Sequence, residues 1–504
     1  MTAPASPDRP NRVVIVGRDA ALWLAALTLH RALGRAGIAI TVVELPSQLH
    51  VHDHYASLPS LEPFHGLLGL KEADVLRAAS GTFSLGQSFA NFARTQPPFF
   101  HGYGVHGAAI NGVPFVQVWT QARQAGMKAG LEDFSLNATA ARQGRFFVPN
   151  AEINEFGRCD YAYHLNAQGY VRYLKAHVVE AGISIHATRH VEPRRDGDRL
   201  ASVVLSDGQT IEGDLFIDAT GADSLLLDKA MEVPFDSWQH WFSGDRLLSV
   251  SAPRLPVLPS YSQVRAVDTG VLHLTPLQDR VCVTRTYHAA EISDEEALNS
   301  AAVVSGLRLH EGAVISPLVL GRSLRAWEGN VIAVGDAACS FDPIDNVAMH
   351  ALQLGLAHLV NLFPVDRDAH AERDEYNRAL QAVFERLRDF QIAHFKLNRV
   401  MDKPFWDHVR SQDVPDELAW KLDLFQARGL VAMYDEESLE SESWNAILIG
   451  HGLMPRSFDP MAGLLPQDGA VRSVQRMLGF IGQQVQAMGT LDQYLNDSGA
   501  RIPA

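Results

Sequence analysis

The sequence predicts an α/β protein in which a Rossmann-like domain is combined with an inserted mixed β-sheet domain and a helical C-terminal region. Residues 12–44 alternate as strand, helix and strand, which is a βαβ unit of about 30 residues. Residues 215–221 form a buried strand that ends in a Thr-Gly turn. Residues 330–343 form a strand that runs through Gly-Asp into a helix start. These alternations are typical of a parallel sheet covered by helices.

The composition is that of an ordinary globular protein and excludes several classes. The chain has 504 residues, of which 47% are hydrophobic and 20% charged, so we expect interlocking subdomains rather than one simple core. A net charge of −15 argues against a nucleic-acid partner. No stretch approaches the roughly 18 apolar residues of a membrane span, and MTAPASPDRPNR at the N-terminus lacks the apolar segment of a secretory signal. Three widely spaced cysteines fit a reducing compartment, so we expect a cytoplasmic protein.

The order of elements predicts interleaved domains, because no internal repeat and no long low-complexity linker separates them. The expected segments are the N-terminal part of the nucleotide-binding domain (1–110), a helical insert on the substrate side (111–185), a return to the nucleotide-binding domain (186–230), a substrate-side β-sheet (231–325), the last nucleotide-binding strand and helix (326–365) and a helical C-terminal region (366–504).

The first βαβ unit carries an altered phosphate loop. The G-x-G-x-x-G fingerprint requires glycine at positions 17, 19 and 22, and the chain has Gly17, Asp19 and Leu22. Asp19 places a negative charge where a pyrophosphate would lie, and Leu22 fills the space in which strand and helix pack closely. The acid Glu44 stands where a ribose hydroxyl would be bound. Two interpretations stay open: a dinucleotide fold with weakened binding, or a βαβ unit that no longer binds.

The second half of the predicted cofactor site lies at 330–343. Asp336 follows the strand and offers an acceptor for sugar hydroxyls, while Pro343 suits the first position of a helix whose N–H groups favour phosphate or a flavin edge. The candidate cofactor-binding residues are Gly17, Ala20, Ala21, Glu44, Thr220, Gly221, Gly335, Asp336 and Pro343.

Three histidines at 50, 52 and 54 alternate as they would along one face of a strand. A metal interpretation is disfavoured because no second group of ligands with metal spacing accompanies them. We therefore expect no metal.

Several motifs, in this order and spacing, resemble the flavin-dependent tryptophan halogenases, within the FAD monooxygenase-like superfamily. The resemblance extends over about residues 12–460. Besides the altered phosphate loop, it rests on the stretches 58–61, 161–164, 213–221, 238–241, 245–246, 321–322, 335–347, 376–377, 388–390 and 404–406, with Trp327, Asn330 and His394.

The resemblance implies an FAD/NAD(P)-binding Rossmann-like fold of the glutathione-reductase type, with FAD as cofactor. It implies a separate flavin reductase that supplies reduced FAD, and a small aromatic or indole substrate held between aromatic rings. A halogenase would also use chloride or bromide, and the halogenating species would travel through a tunnel to a lysine beside the substrate. A nearby glutamate would help to activate or orient that species.

The departures from the family pattern concern the chemistry itself. The family's Thr-Phe-Lys strand is Thr-Phe-Ser here, which places Ser84 at the lysine position, and a serine offers no ammonium group. The Trp-x-Trp-x-Ile-Pro barrier corresponds to residues 271–276, where only Pro276 remains. At the halide site Val347 replaces threonine, and Asp345 replaces the family's glutamate with a shorter acid.

Three hypotheses follow. The first is an FAD-dependent, monooxygenase-like oxidoreductase on the halogenase scaffold, with Asp345 and His273 as candidate catalytic acid or base. The alternatives for these two residues are a helix cap for Asp345 and a hydrogen-bonded buried histidine for His273. The second hypothesis is a catalytically silent homologue that binds a ligand, forms a homodimer or pairs with an active paralogue. The third is a true halogenase with relocated catalytic groups.

Overall fold

The computed structural model describes residues 10–93, 97–149, 158–242, 244–367 and 370–503. Most of the N-terminal stretch used to judge a secretory signal, residues 1–9, lies outside these ranges. In the described ranges the strands are β1 (Arg12–Gly17), β2 (Ala39–Glu44), β3 (His54–Ala56), β4 (Thr82–Ser84), β5 (Gly86–Ala90), β6 (Phe99–Gly102), β7 (Ala162–Asn166), β8 (Ser184–Ala187), β9 (Val191–Asp196), β10 (Arg199–Leu205), β11 (Thr210–Glu212), β12 (Leu215–Ala219), β13 (Phe235–Ser237), β14 (Arg246–Pro253), β15 (Ser262–Ala266), β16 (Val271–Pro276), β17 (Arg280–Tyr287), β18 (Val314–Pro317), β19 (Gly321–Ser323), β20 (Trp327–Glu328), β21 (Val331–Ala333) and β22 (Cys339–Ser340).

The α-helices of the same ranges are α1 (Asp19–Leu33), α2 (Leu61–Leu68), α3 (Glu72–Ala78), α4 (Phe115–Gln124), α5 (Leu136–Arg142), α6 (Ala167–Glu180), α7 (Asp294–Ser305), α8 (Ala348–Asn361), α9 (His370–Lys396), α10 (Pro404–Ser411), α11 (Asp416–Arg428), α12 (Ser441–Gly450), α13 (Pro460–Gly463), α14 (Gln467–Ala487) and α15 (Leu491–Asp497). No helix in the described ranges is long and apolar enough to cross a membrane.

The chain forms two compact units, each made of three separate segments. Unit one comprises the described residues of Met1–Ala79, Leu165–Gln239 and Val319–Arg386. Unit two comprises those of Ser80–His164, His240–Leu318 and Leu387–Ala504.

Unit one contains the predicted Rossmann-like sheet, in the strand order β20-β21-β12-β1-β2-β8. β1 lies between β12 and β2 and runs parallel to both, and β21 and β8 continue the parallel sheet on either side. Every residue of β12 is buried, as are the last five of β1, because helices cover a parallel sheet on both faces. The predicted α/β class and the βαβ unit at 12–44 are confirmed.

One buried carboxylate fixes the beginning of β1 in unit one. Asp214, just before β12, accepts hydrogen bonds from the backbone N–H groups of Asn11 and Arg12 at 3.1 and 3.0 Å. The guanidinium groups of Arg12 and Arg367 lie 3.3 and 3.1 Å from the same carboxylate. Burial raises the pKa of Asp214, but these hydrogen bonds outweigh it and hold the pKa below its ordinary value. The first residues of β1 are thus held by a residue 203 positions later in the chain.

Unit two is built on a mixed sheet in the order β18-β14-β17-β16-β15-β5-β6. This sheet confirms the inserted mixed β-sheet domain that the sequence predicts. Its pairs are antiparallel except that β15 runs parallel to β5. Buried residues of β14, β16 and β17 form a core with Ala297 and Ala301 of α7.

The C-terminal part of unit two contains a buried ion pair. The Nζ atom of Lys421 in α11 lies 2.5 Å from Oε1 of Glu437, and both side chains are 2% exposed. The indole N–H of Trp444 donates to the same carboxylate oxygen at 2.6 Å. Lys421 Nζ also lies 4.2 Å from the centre of the Trp444 ring, a cation–π contact. Each charge therefore has a partner, as burial of charged groups requires.

Candidate functional site

A cavity of about 270 Å³ lies at the carboxyl edge of the parallel sheet of unit one. Its walls are the start of α1, the turn after β12, the Gly-Asp turn after β21, the first turns of α8, and Gln48, Leu49 and Tyr55. In open α/β sheets this edge is where ligands bind. Ligand pockets usually measure about 300–1,000 Å³, so the cavity can enclose only part of a molecule as long as FAD.

Five of the nine predicted cofactor residues line this cavity: Ala20, Ala21, Gly221, Gly335 and Asp336. They come from three parts of the chain, and the parallel order of β1, β12 and β21 brings these together because the carboxyl ends of the strands share one edge.

The close approach of β1 and β12 requires glycine at the end of β1. A Cβ atom on Gly17 would lie 2.3 Å from the carbonyl oxygen of Ala219 in β12, which is too close for any other residue. Gly17 does not line the cavity, so its role in the structure is this close approach of two strands rather than ligand contact.

Asp336 is the acidic residue of the cavity wall formed by the Gly-Asp turn after β21. Its carboxylate is accessible from the cavity, but protein surrounds it, and this burial raises its pKa to about 6. At neutral pH the ionised carboxylate is an acceptor for the hydroxyl groups of a sugar or ribityl chain.

The start of α8 forms the adjoining wall through Ala348 and Met349. Val347 is the N-cap of this helix, and its apolar side chain accepts no hydrogen bond from the first N–H groups. The uncapped end carries the positive pole of the helix dipole, which favours an anionic group such as the polar edge of a reduced flavin ring. The flavin half of the cofactor therefore fits the residues present.

A helical turn begins at Pro343 with Asp342 as its N-cap, as predicted, but the α-helix itself begins only at Ala348. Pro343–Asp345 is one turn of 3₁₀ helix, and Asn346 has a φ of 58°, in the left-handed region, which interrupts the chain before α8 begins at Ala348. Pro343 does not line the cavity, so the N–H groups there belong to α8.

The phosphate half is shaped by charged side chains. Asp19 has a φ of 57°, the left-handed conformation that the glycine of the fingerprint would favour. Its carboxylate accepts hydrogen bonds from the Ser47 hydroxyl at 2.5 Å and the Gln48 N–H at 3.3 Å. Arg18 Nη1 lies 2.6 Å from the Asp223 carboxylate. Leu22 is fully buried, as its replacement of a packing glycine predicts.

Two further predicted cofactor residues are engaged elsewhere. Lys175 Nζ lies 2.7 and 2.8 Å from the two carboxylate oxygens of Glu44, so this acid is already paired and does not line the cavity. The Thr220 hydroxyl donates to the buried carboxylate of Asp218 at 2.6 Å and accepts from the Leu225 N–H at 2.9 Å. Thr220 therefore shapes the turn after β12 instead of facing the cavity.

The two candidate catalytic residues belong to different units. Asp345 of unit one is buried, and burial raises its pKa well above the ordinary value of an aspartate. It does not cap α8. The capping bond of this segment comes from Asp342, whose carboxylate accepts from the Ile344 N–H at 3.0 Å. His273 of unit two is buried in β16, between Val264 of β15 and Thr284 of β17.

The position of the family lysine is closed. Ser84 is fully buried at the end of β4, where it pairs with Ala162 of β7. Its hydroxyl donates to the carbonyl oxygen of Gly86 at 3.0 Å. The side chain thus satisfies a backbone group and presents no cation.

A buried histidine in unit two was not among the predicted site residues. His101 lies in β6, and neither ring nitrogen has a hydrogen-bond partner among the described residues. Burial, with smaller contributions from His394 and His106, lowers its pKa to about 3. Its ring contacts those of Tyr103 and Phe390, with centroids 5.8 and 5.9 Å apart. In the sequence, residues 97–107 around it are rich in aromatic residues and glycine, which is the signal that could have pointed to it. A buried polar ring without a partner can recognise a ligand.

His101 also provides a stability prediction. The unfolded chain binds a proton on this imidazole near pH 6.5, whereas the folded chain does so only near pH 3, so the histidine destabilises the fold as pH falls between these values. We expect His101→Phe to gain stability over the natural chain by up to about 1.4 kcal/mol per pH unit in that window. Urea unfolding from pH 8 to pH 4 measures this difference. The exposed His190→Gln is the control, and a His101→Phe profile parallel to the natural one would contradict the prediction.

In the stretches that the structure describes, no three histidine, cysteine, aspartate or glutamate side chains are grouped to hold a metal ion. Cys159, Cys282 and Cys339 form no disulfide with one another.

Comparison with known proteins gives a consistent result over nearly the whole chain. The family model for tryptophan halogenase matches residues 12–467. The tryptophan 6-halogenase SttH of Streptomyces toxytricini is 26% identical over 533 residues, which cover 98% of this chain and 99% of that protein. BrvH, a flavin-dependent halogenase from Brevundimonas sp. BAL3, has a structure with a TM-score of 0.90 at 31% identity, covering 98% of this chain and 100% of its own. Xcc4156, a flavin-dependent halogenase from Xanthomonas campestris, has a TM-score of 0.92 at 29% identity and covers 99% of each chain.

Proposed function

The chain belongs to the tryptophan halogenase family, and on this premise we propose that it is a flavin-dependent oxidoreductase that oxygenates a small aromatic substrate. Reduced flavin supplies two electrons. One atom of molecular oxygen then enters the substrate as a hydroxyl group, the other leaves as water, and the flavin is released oxidised. A separate reductase supplies the reduced flavin, as membership of the family implies.

The observation that carries this proposal is Ser84. Transfer of a halogenating species through a lysine requires an amine, and the hydroxyl at this position is committed to the Gly86 carbonyl. Oxygenation needs no such amine. The cavity in unit one supports the flavin part of the proposal, with Asp336 toward the ribityl hydroxyls and the start of α8 toward the flavin ring.

The substrate side is supported by unit two. His101 is a buried polar ring among aromatic side chains, and a planar ligand with an N–H or hydroxyl group could satisfy one of its nitrogens. Relatives named tryptophan halogenases point to the same class of substrate. We therefore propose a small aromatic molecule, of the indole type, as substrate.

Two other functions rest on particular observations. The Asp19 carboxylate and the Glu44–Lys175 pair favour a silent homologue that holds no flavin and acts as a ligand-binding or partner protein, as a homodimer or with an active paralogue. The 31% identity to a flavin-dependent halogenase favours a true halogenase with relocated catalytic groups.

One experiment separates the three functions. The purified chain is mixed with FAD, excess FAD is removed, and the visible spectrum is recorded. The complex is then supplied with reduced flavin, ¹⁸O₂ and indole, with and without bromide. The proposal expects retained flavin and an ¹⁸O-labelled product that does not depend on bromide. No flavin binding in either redox state would establish the silent homologue, and a bromide-dependent brominated product would establish the halogenase.

Asp336 gives a second test of the flavin site. We expect Asp336→Asn to weaken FAD binding about tenfold at pH 8, because a hydrogen bond to an ionised acceptor contributes about 1.5–3 kcal/mol and the neutral amide keeps part of it. The natural chain should lose affinity as the pH falls through about 6, where its carboxyl becomes protonated. The variant should show no such step. Fluorescence titrations between pH 5.5 and 8.5 measure both curves, and identical affinities across this range would exclude a role for Asp336.

A further inference from the structure

The phosphate half of the cavity in unit one contains a cation that the glycine fingerprint does not have. Arg18 lines the cavity at the junction of β1 and α1, and its side chain is 10% exposed. Its Nη1 atom lies 2.6 Å from the Asp223 carboxylate, to which the Gln48 side-chain amide also donates at 3.1 Å. Burial tends to raise the pKa of Asp223, but the hydrogen bond and charge of Arg18 outweigh it and lower that pKa.

Part of the Arg18 guanidinium is left without an acceptor. Its Nε–H is buried and donates to nothing in the described ranges of the chain. A buried, unused donor is costly unless a ligand completes it. Asp223 occupies Nη1 alone, whereas a guanidinium binds phosphate best through two parallel N–H groups of one edge. The group next to the cavity therefore has spare donors of the geometry that phosphate uses.

We propose that Arg18 is the phosphate ligand of this chain, and that it exchanges its contact with Asp223 for the pyrophosphate of the bound dinucleotide. This inference rests on the proposed function in so far as the dinucleotide is FAD. The guanidinium replaces the close backbone contact that a glycine at position 19 would allow in the fingerprint. Asp19 keeps the left-handed turn, but its carboxylate is held by Ser47 and Gln48.

The balance of charge defines what each side chain does. Arg18 contributes one positive charge, while Asp19 and Asp223 contribute two negative charges within the same turn region. A pyrophosphate adds further negative charge, so both acids oppose its binding and Arg18 alone favours it. If Arg18 served only to fix the turn through Asp223, either substitution would disturb that turn, and both would weaken binding of the dinucleotide. A phosphate ligand restrained by a counter-ion predicts opposite signs.

The test is a set of titrations with FAD, ADP and riboflavin, followed by flavin fluorescence or, for ADP, by calorimetry. Arg18→Gln should weaken FAD and ADP binding about tenfold or more, the effect of losing a charge-assisted hydrogen bond. Asp223→Asn should tighten both by several-fold because Arg18 is then freed. Riboflavin, which has no phosphate, should bind all variants within twofold of the natural chain. Added salt should weaken FAD binding more steeply in the natural chain than in Arg18→Gln.

A matched control removes the same charge from the other end of β1. Arg12 lies at the amino edge of the sheet, so Arg12→Gln should leave FAD affinity unchanged. Thermal unfolding of each variant verifies that it is folded. Equal FAD affinity in Arg18→Gln and the natural chain, or weakening of FAD by Asp223→Asn, would overturn the role of Arg18. Absence of FAD and riboflavin binding, with ADP binding that still depends on Arg18, would overturn the proposed function and keep the phosphate ligand. A natural chain that binds neither FAD nor ADP would overturn both.

Discussion

Substitution of Ser84 by lysine is expected to destabilise the protein strongly and to give no halogenated product. The position is fully buried at the end of β4, so an ammonium group there would lose its hydration, at a cost of several kcal/mol. Ser84→Met inserts a side chain of similar length without charge and should cost about 1–3 kcal/mol through overpacking. Ser84→Ala loses only the bond to Gly86 and should cost about 1 kcal/mol.

This series distinguishes length, charge and hydrogen bonding at one position. Denaturant unfolding gives the three free energies, and reaction with reduced flavin, bromide and indole tests for bromination. If Ser84→Lys were no more destabilising than Ser84→Met, the position would open onto water. If bromination then appeared, one residue would have restored the family's lysine chemistry. The chain would then be a halogenase that has lost its amine, and the proposed oxygenase function would be wrong.

The second large effect is expected at Lys421. Lys421→Met leaves the Glu437 carboxylate buried beside Trp444 without its cation, and removal of one partner of a buried pair costs about 3–5 kcal/mol. The double variant Lys421→Met with Glu437→Gln has no buried charge and keeps an acceptor for the indole N–H. It should recover most of the loss, because a well-packed neutral pair is often as stable as the ion pair.

A double-mutant cycle measured by urea unfolding checks this prediction. The surface pair Arg158–Glu440, whose side chains are each 54% exposed, is the control and should contribute less than about 1 kcal/mol. Additive effects of the Lys421 and Glu437 substitutions would show that the contact carries no coupling energy.

The fold could be predicted from local patterns, whereas much of the site could not. The βαβ unit at 12–44 has an unbroken strand-helix-strand pattern, and the structure follows it closely because a parallel sheet requires continuous apolar strands. The carboxyl edge was also predictable, since Gly335 and Asp336 follow a strand and Gly221 follows another.

The residues that modify the site have partners far away in the sequence. Glu44 looked like a ribose ligand, but Lys175 neutralises it from 131 positions later. Arg18 was not recognised because its partner Asp223 is 205 positions away. Local patterns contain no information on which distant charge meets which, so burial and ion pairing of these groups emerge only in the folded chain. His101 is the reverse case, because what distinguishes it is that its ring nitrogens have no hydrogen-bond partner among the residues that the structure describes.

The division of unit one into three segments has a consequence for synthesis on the ribosome. One edge of β1 has no partner strand until β12 is made. Asp214, whose carboxylate fixes the beginning of β1, is translated 203 residues after Asn11. At about 5–20 residues per second, β1 and β2 wait on the order of 10–40 s for this neighbour. During that interval β1 exposes a hydrophobic strand edge, which is a template for pairing with other nascent chains. Yield of folded protein should therefore depend on chaperones that bind emerging strands and on translation speed before residue 215, and much less on conditions after release.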